Sequence, residues 1–310
     1  MIREGTIDDV PLAAAMRQRA WPESIITAEG MRRSLEHAPE RARQVRLAWE
    51  DAGTIVGWAT ASHDWAQNDP SRGQLAIAVD PDRRGEGIGR ALAEAAVAHL
   101  AEIGIGSTRA GSLDEPGARS LAARFGFTEV AASIVSAVDP GTVDPRPIPA
   151  GVTLVPLAAI DGPVPIYELD LALSRDIPNE TYENVSLEEW QSMFWRSPFV
   201  DDDASLVAYV EDDLAAMTMI RVDRPSGRAQ NNLAGTLPRY RGRGLATLLK
   251  SHSLRRAAEL GASIATTDND ESNAPMLAVN EKLGYRPFAR RLQWERSGVS
   301  ASAISATTSR

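Results

Sequence analysis

Two short segments of the 310-residue chain combine residues able to hold a phosphate group. They are Arg84-Gly85-Glu86-Gly87-Ile88-Gly89 and Arg241-Gly242-Arg243-Gly244-Leu245-Ala246, both of the form Arg-x-x-Gly-x-Gly/Ala. Glycine lets a backbone approach an anion closely. A helix beginning at such a turn offers N–H groups that lack an internal partner, together with the positive end of its dipole. The arginine adds a charge at the mouth. One copy of so short a pattern is weak evidence, but here there are two, 157 residues apart. A second pair, Gly126-Phe127 and Gly284-Tyr285, recurs at 158 residues, so an internal duplication is the simplest account. Other phosphate motifs fit worse. A dinucleotide fingerprint needs glycine where Arg90 and Thr247 stand, and a Walker loop needs Gly-Lys-Ser/Thr.

The elements that must position these turns follow from periodicity. In the first half, a strand over 2–6 leads to a helix from Asp8 or Asp9 through Arg19 and a second helix opened at Thr27. Hairpin strands over 45–50 and 54–62 and a buried strand over 74–79 come next. The turn then opens a helix over 88–103, followed by a strand over 108–112, a helix over 118–124 and a closing strand over 130–138. The second half reads as a strand over 152–157, helices over 167–174 and 187–194, and a hairpin over 205–210 and 217–222. A helix over 244–260, a strand over 264–267, a helix over 275–282 and a last strand over 288–294 complete it. Residues 139–151 hold four prolines and no apolar period, and read as a linker. The expected division is a first domain over 1–140, a linker over 141–151, a second domain over 152–297 and a disordered Ser/Ala/Thr-rich tail over 298–310.

Composition bounds the partners. Hydrophobic content of 43% and charged content of 24% are enough for two globular cores. A net charge of −9 gives no basic surplus for nucleic acid or anionic lipid. With no cysteine there are no disulfides, thiolate metal sites or Cys nucleophiles. His37 and His99 lack partners in sequence, so no metal is expected. The first residues have no apolar signal core and no long apolar run follows, so a cytoplasmic protein is expected.

The segment Val79-Asp80-Pro81-Asp82-Arg83-Arg84-Gly85-Glu86-Gly87-Ile88-Gly89 resembles motif A of the GCN5-related N-acetyltransferases, and so does Leu237-Pro238-Arg239-Tyr240-Arg241-Gly242-Arg243-Gly244-Leu245-Ala246. Ala118…Leu121…Phe125-Gly126-Phe127 and Asn273 to Tyr285 look like its motif B. The resemblance spans nearly everything but linker and tail, and the layout is similar to tandem actinobacterial members. It implies an α/β (α+β) chain of two such folds, each a mixed, mostly antiparallel sheet flanked by helices, arranged as an internal pseudo-dimer within a monomer.

The resemblance also implies acetyl-CoA as cosubstrate. The amides near Ala78-Val79 and Gly235-Thr236 would bond its acetyl and pantetheine groups. The pyrophosphate would lie on Arg84, Gly85, Glu86, Gly87, Ile88, Gly89 and Arg90, and on Arg241, Gly242, Arg243, Gly244, Leu245, Ala246 and Thr247. A primary amine, of a small-molecule acceptor, would attack the thioester directly. The family's usual acid is a tyrosine four residues before the motif B glycine, but Ala122 and Asn280 stand there, and residues 1–150 hold no tyrosine. Its frequent asparagine seven residues earlier is Glu115 in the first copy and Asn273 in the second.

The chemistry is therefore expected in the second copy, with Asn280, Asn269 and Asp268 catalytic and Asn273 at the cofactor. Asp268, Asp270 and Glu271 are either base candidates or an acidic helix-capping loop. His252 reads as a packed or surface residue rather than a base, and His63-Asp64 as a loop pair or acceptor contacts. Trp190, Phe194 and Trp195 either border the acceptor or pack. Asp201-Asp202-Asp203 reads as a solvated loop or as a group that attracts a cationic acceptor. The alternative function is a CoA-binding regulatory protein without turnover.

Overall fold

The computed structural model describes residues 1–176 and 185–297. The expected tail over 298–310 lies outside them. Two compact units result. The chain runs through β1 (Ile2–Glu4), α1 (Val10–Ala20), α2 (Ala28–Glu36), β2 (Val45–Asp51), β3 (Thr54–His63), β4 (Arg72–Val79), α3 (Ile88–Glu102), β5 (Ser107–Leu113), α4 (Pro116–Arg124) and β6 (Thr128–Val138). The same order repeats as β7 (Val152–Pro156), α5 (Val164–Ser174), α6 (Leu187–Met193), β8 (Leu206–Val210), β9 (Asp213–Asp223), β10 (Arg228–Thr236), α7 (Leu245–Glu259), β11 (Ile264–Asp270), α8 (Ala274–Lys282) and β12 (Arg286–Ser297).

The first unit comprises Met1–Pro22, Ile26–Ala132 and the chain from Arg291. Its sheet runs β1-β2-β3-β4-β5-β12, antiparallel except for the parallel β4–β5 pair. One face is packed by α1, whose Val10, Ala13 and Ala14 meet Trp58 and Ala78. The other is packed by α3, whose Leu100 and Ala96 meet Leu75 and Ala61.

The second unit comprises Glu23–Ile25 and Ser133–Arg290, with the sheet β7-β8-β9-β10-β11-β6. Here β10–β11 is the parallel pair, and α7 supplies Leu254 and Ala257 to a core with Ile220, Ala229 and Ala265.

The units do not follow the expected cut. Ser133–Val138, chain of the first half, pairs with β11 inside the second unit. Arg291–Ser297, chain of the second half, pairs with β5 inside the first. Residues 139–151 also differ from a free linker. Val143 is buried in the second unit's core, the Arg146 amide donates to Ser251 Oγ at 3.0 Å, and His252 Nε2 donates to the Arg146 carbonyl at 2.8 Å. His252 is thus committed to packing the chain onto α7. A strand before the second turn was expected but given no bounds, because Gln230, Asn231 and Asn232 of β10 lack the apolar alternation by which a strand is delimited.

Candidate active site

Each glycine turn has the same local geometry. After β4, one 3-10 turn (Pro81–Arg83) leads to Gly85 and Gly87 at φ 86° and 85°, and α3 begins at Ile88. After β10, Pro238–Tyr240 leads to Gly242 and Gly244 at φ 76° and 78°, and α7 begins at Leu245. Left-handed backbone explains these glycines, since L-residues lose about 1–2 kcal/mol there. Crowding does not, because a Cβ at any of the four would meet nothing within 4 Å. The space beside each turn is open, and the first N–H groups of α3 and α7 lack intrahelical acceptors. That arrangement fits a pyrophosphate.

Arg84 bonds Glu115 at 3.0 Å and the Ala20 carbonyl at 3.3 Å, and Arg241 pairs with Asp176 and with the Thr236 carbonyl at 3.2 Å. Glu86 is held by Arg83, which lowers its carboxyl below the usual range, and Arg243 stacks on the Tyr240 ring. Arg90 pairs loosely with Glu94 at 3.6 Å.

Behind each turn two parallel strands diverge. The β4–β5 pairing ends at Leu75 and Ala110, and the β10–β11 pairing at Asn231 and Thr267. In the first unit this opens a cleft of about 400 Å³, within the size range of small-ligand sites. Ala78, Val79, Arg84, Gly85 and the start of α3 line one side, and Ser112, Leu113 and α4 the other. Trp294 forms part of its wall and donates from Nε1 to Ser112 Oγ at 2.8 Å. Sequence reading missed Trp294, because only the register Trp294↔Ala110 brings it there.

The second unit's divergence differs. The register of β10 shifts between Asn231 and Leu233, a bulge that re-aims the strand. Gly235 and Thr236 lie on the diverging part, and a Cβ on Gly235 would fall 2.9 Å from Leu173 of α5. Ala246 and Thr247 lie in the first turn of α7. Asp268 and Asn269 belong to β11, whose alternation puts Asn269 with Ala265 toward α7 and exposes Asp268 on the opposite face.

Asn280, expected to face the thioester, is buried instead and committed at both ends. Its Oδ1 accepts from Lys250 Nζ at 2.7 Å, and its Nδ2 donates to Asn269 Oδ1 at 2.6 Å. Lys250, one of only two lysines in the chain, was given no role from the sequence. It is 1% exposed, lies 4.9 Å from the Tyr285 ring, and is pushed down to about 7 by burial. In the first unit, Ala93, Ala122 and Ser112 stand where Lys250, Asn280 and Asn269 stand in the second, and all three line the cleft.

Other side chains have structural partners. Asn273 caps α8, its Oδ1 accepting from the Met276 amide at 3.3 Å. Asp270 accepts from the Ser272 amide and Glu271 pairs with Arg290. Trp190 is buried and donates to Asp170 at 2.6 Å, stacking with Tyr167, Phe194 and Trp195. Asp201 caps a turn and Asp202 pairs with Arg196. Asp64 is buried, which raises its carboxyl above the usual range. Among the described residues no group of His, Cys, Asp and Glu could hold a metal ion, and no helix is long and apolar enough to cross a membrane.

The acetyltransferase (GNAT) family model matches residues 13–127 and again 171–285. The mycothiol acetyltransferase of Clavibacter michiganensis subsp. michiganensis is 28% identical over 227 residues, covering 71% of each chain. That of Beutenbergia cavernae is 26% identical over 310 residues, covering 92% of this chain and 96% of its own. Among solved structures, a tandem GNAT protein from the clavulanic acid biosynthesis pathway superposes with a TM-score of 0.75 at 21% identity, covering 97% of this chain and 99% of that one. A GCN5-related N-acetyltransferase from Sphaerobacter thermophilus gives a TM-score of 0.69 at 18% identity, covering 97% and 98%. With both halves matched by one family model and the fold shared end to end, the chain belongs to the acetyltransferase (GNAT) family as a tandem, two-copy member.

Proposed function

We propose that the protein is an acetyl-CoA-dependent N-acetyltransferase acting on a primary amine of a small molecule, with both glycine turns holding a CoA pyrophosphate and the transfer occurring in the second unit. The observation that carries this reading is the repeated turn: open, left-handed glycines at a helix start, directly behind a pair of diverging strands. Acetyl-CoA supplies a thioester carbonyl. The amine nitrogen attacks that carbon, the new C–N bond replaces the C–S bond, and the CoA sulfur departs and is protonated as the thiol. The amine must first lose its ammonium proton, for which Asp268, exposed beside the divergence, is the proposed acceptor, directly or through water. Asn269 is the proposed donor to the thioester oxygen as negative charge develops there.

The second unit is favoured by its β10 bulge and its asparagines, whereas the first has alanines and one serine at the matching places. The first unit's cleft would hold a second CoA.

The test is thiol release from acetyl-CoA over a panel of amino acids, polyamines, aminoglycosides, peptide amines and a mycothiol precursor. The last is included because the relatives are named for mycothiol. Calorimetry with CoA runs in parallel. Amine-dependent release is expected, falling sharply in Gly244→Trp. Saturable CoA binding without release on the whole panel would instead support a CoA-binding regulatory protein, a reading favoured by the absence of tyrosine at positions 122 and 280.

A further inference from the structure

A protonated lysine can only donate hydrogen bonds, and that simple fact orients a chain of side chains. Lys250 Nζ points at Asn280, so the oxygen end of the Asn280 amide must face it, at 2.7 Å. The nitrogen end then faces Asn269 and donates to Asn269 Oδ1 at 2.6 Å. Thr267 Oγ1 donates to the same oxygen at 3.4 Å. The Asn269 amide is thereby fixed with its oxygen turned inward and its NH2 group left over. That group makes no hydrogen bond among the described residues, and Asn269 is only half-buried. It stands two residues past the last β10–β11 pair, Asn231↔Thr267. Its counterpart in the first unit, Ser112, lines the cleft there.

We propose that Lys250 is a positioning residue: acting through Asn280, it turns the Asn269 NH2 group toward the space between β10 and β11, where it donates to the acetyl thioester. This rests on the reading that the second unit binds acetyl-CoA productively. Asn269 touches the reacting group, while Lys250 and Asn280 act through it.

The cost of the arrangement argues for a purpose beyond packing. A wholly buried ammonium with no carboxylate partner among the described residues is expensive, and an apolar side chain would fill the same helix position without desolvating a charge. What an apolar side chain cannot do is force the direction of the two hydrogen bonds that follow. The ammonium forces this direction, whereas the neutral amine, with two N–H groups and a lone pair, merely permits it. A first copy with alanine at the equivalents of Lys250 and Asn280 has no such chain, and its Ser112 receives a bond from Trp294 instead.

The experiment uses the full-length protein and two readouts. The first is the Asn269 side-chain amide resonance, assigned by its loss in Asn269→Asp and followed on adding acetyl-CoA. The second is the kcat and KM of thiol release. In the wild type, acetyl-CoA is expected to move the Asn269 NH2 signal. In Lys250→Met, which keeps the volume and removes the donor, the signal is expected to stay put, with kcat down about 10-fold or more and the acetyl-CoA KM within about 3-fold, as for loss of an oriented oxyanion donor.

Asn280→Asp serves the same purpose if Lys250→Met does not fold, since aspartate still accepts from Lys250 but cannot donate to Asn269. A folded variant that keeps both the signal shift and wild-type kcat overturns the proposal, as does a wild-type signal that acetyl-CoA leaves unmoved. A shift that depends on Lys250 without turnover on any amine supports the relay and sinks only the proposed enzymatic function.

Discussion

Burial of Lys250 makes a thermodynamic prediction that does not depend on the reaction. Its ammonium is held at about 7, down from an ordinary 10.5, and desolvation is the cause. Between those two values the unfolded chain binds a proton that the folded chain does not. Stability therefore rises with pH across this window, by up to about 1.4 kcal/mol per pH unit. Below about pH 7 the penalty is fully present, and above 10.5 it is gone. From pH 7.5 to 9.5 the single group contributes roughly 2–3 kcal/mol of added stability.

Lys250→Met removes the titration. It also strands Asn280 Oδ1, a cost of about 1–3 kcal/mol that does not vary with pH. The stability difference between variant and wild type should thus swing by roughly 2–3 kcal/mol in favour of the wild type as pH rises from 7.5 to 9.5. Urea denaturation of both proteins at four pH values measures it, with every other titrating group cancelling in the difference. Parallel pH profiles would refute the idea that Lys250 is desolvated in the native state.

Further predictions concern the two turns, the base and the exchanged strands. Gly87→Val and Gly244→Val put a β-branched residue at φ near 80°, costing at least about 1–2 kcal/mol, and each should reduce CoA stoichiometry by calorimetry from two to one per chain. Asp268→Asn should lower kcat/KM by about 100-fold or more while leaving CoA affinity unchanged, and wild-type turnover would remove it as the base. Trp294→Phe, which loses the bond to Ser112, should weaken CoA binding at the first unit only, read as a change in one of the two calorimetric sites. A chain ending at residue 140 should fail to give a cooperative melt, because Leu292 and Trp294 of the first unit's core come from the far end of the chain; a sharp transition would show that β12 is dispensable there.

What could be read from sequence was local. The glycine turns, the helices behind them and the 157-residue repeat depend on neighbours within a few positions, and Gly85, Gly87, Gly242 and Gly244 occupy the left-handed backbone such turns demand. Contacts that cross many residues were not legible in this way. Nothing in the order of residues says that Arg291–Ser297 pairs with β5 while Ser133–Val138 pairs with β11, since a closing strand satisfies its hydrogen bonds equally well in either sheet. The extent of β10 was not legible because its polar run, Gln230 to Asn232, is stabilised by its neighbours β9 and β11 rather than by its own propensity.

The second unit's site illustrates the same limit in chemical terms. Asn280 at the usual tyrosine position invites assignment as a direct donor, and only its two partners reveal that both ends of its amide are committed. The clue was nevertheless present in comparing the copies. Ala93 and Ala122 are both small where Lys250 and Asn280 are both polar and large, so the two positions differ as a pair. A lone Lys at 250 opposite an alanine at 280 would leave a buried ammonium without an acceptor, and a lone Asn at 280 would leave its carbonyl oxygen without a donor. Paired difference of this kind, one partner supplying only donors and the other completing the chain, marks side chains that meet in space. It also locates the asymmetry between the copies at the floor of the strand divergence rather than at the glycine turns, which are alike in both.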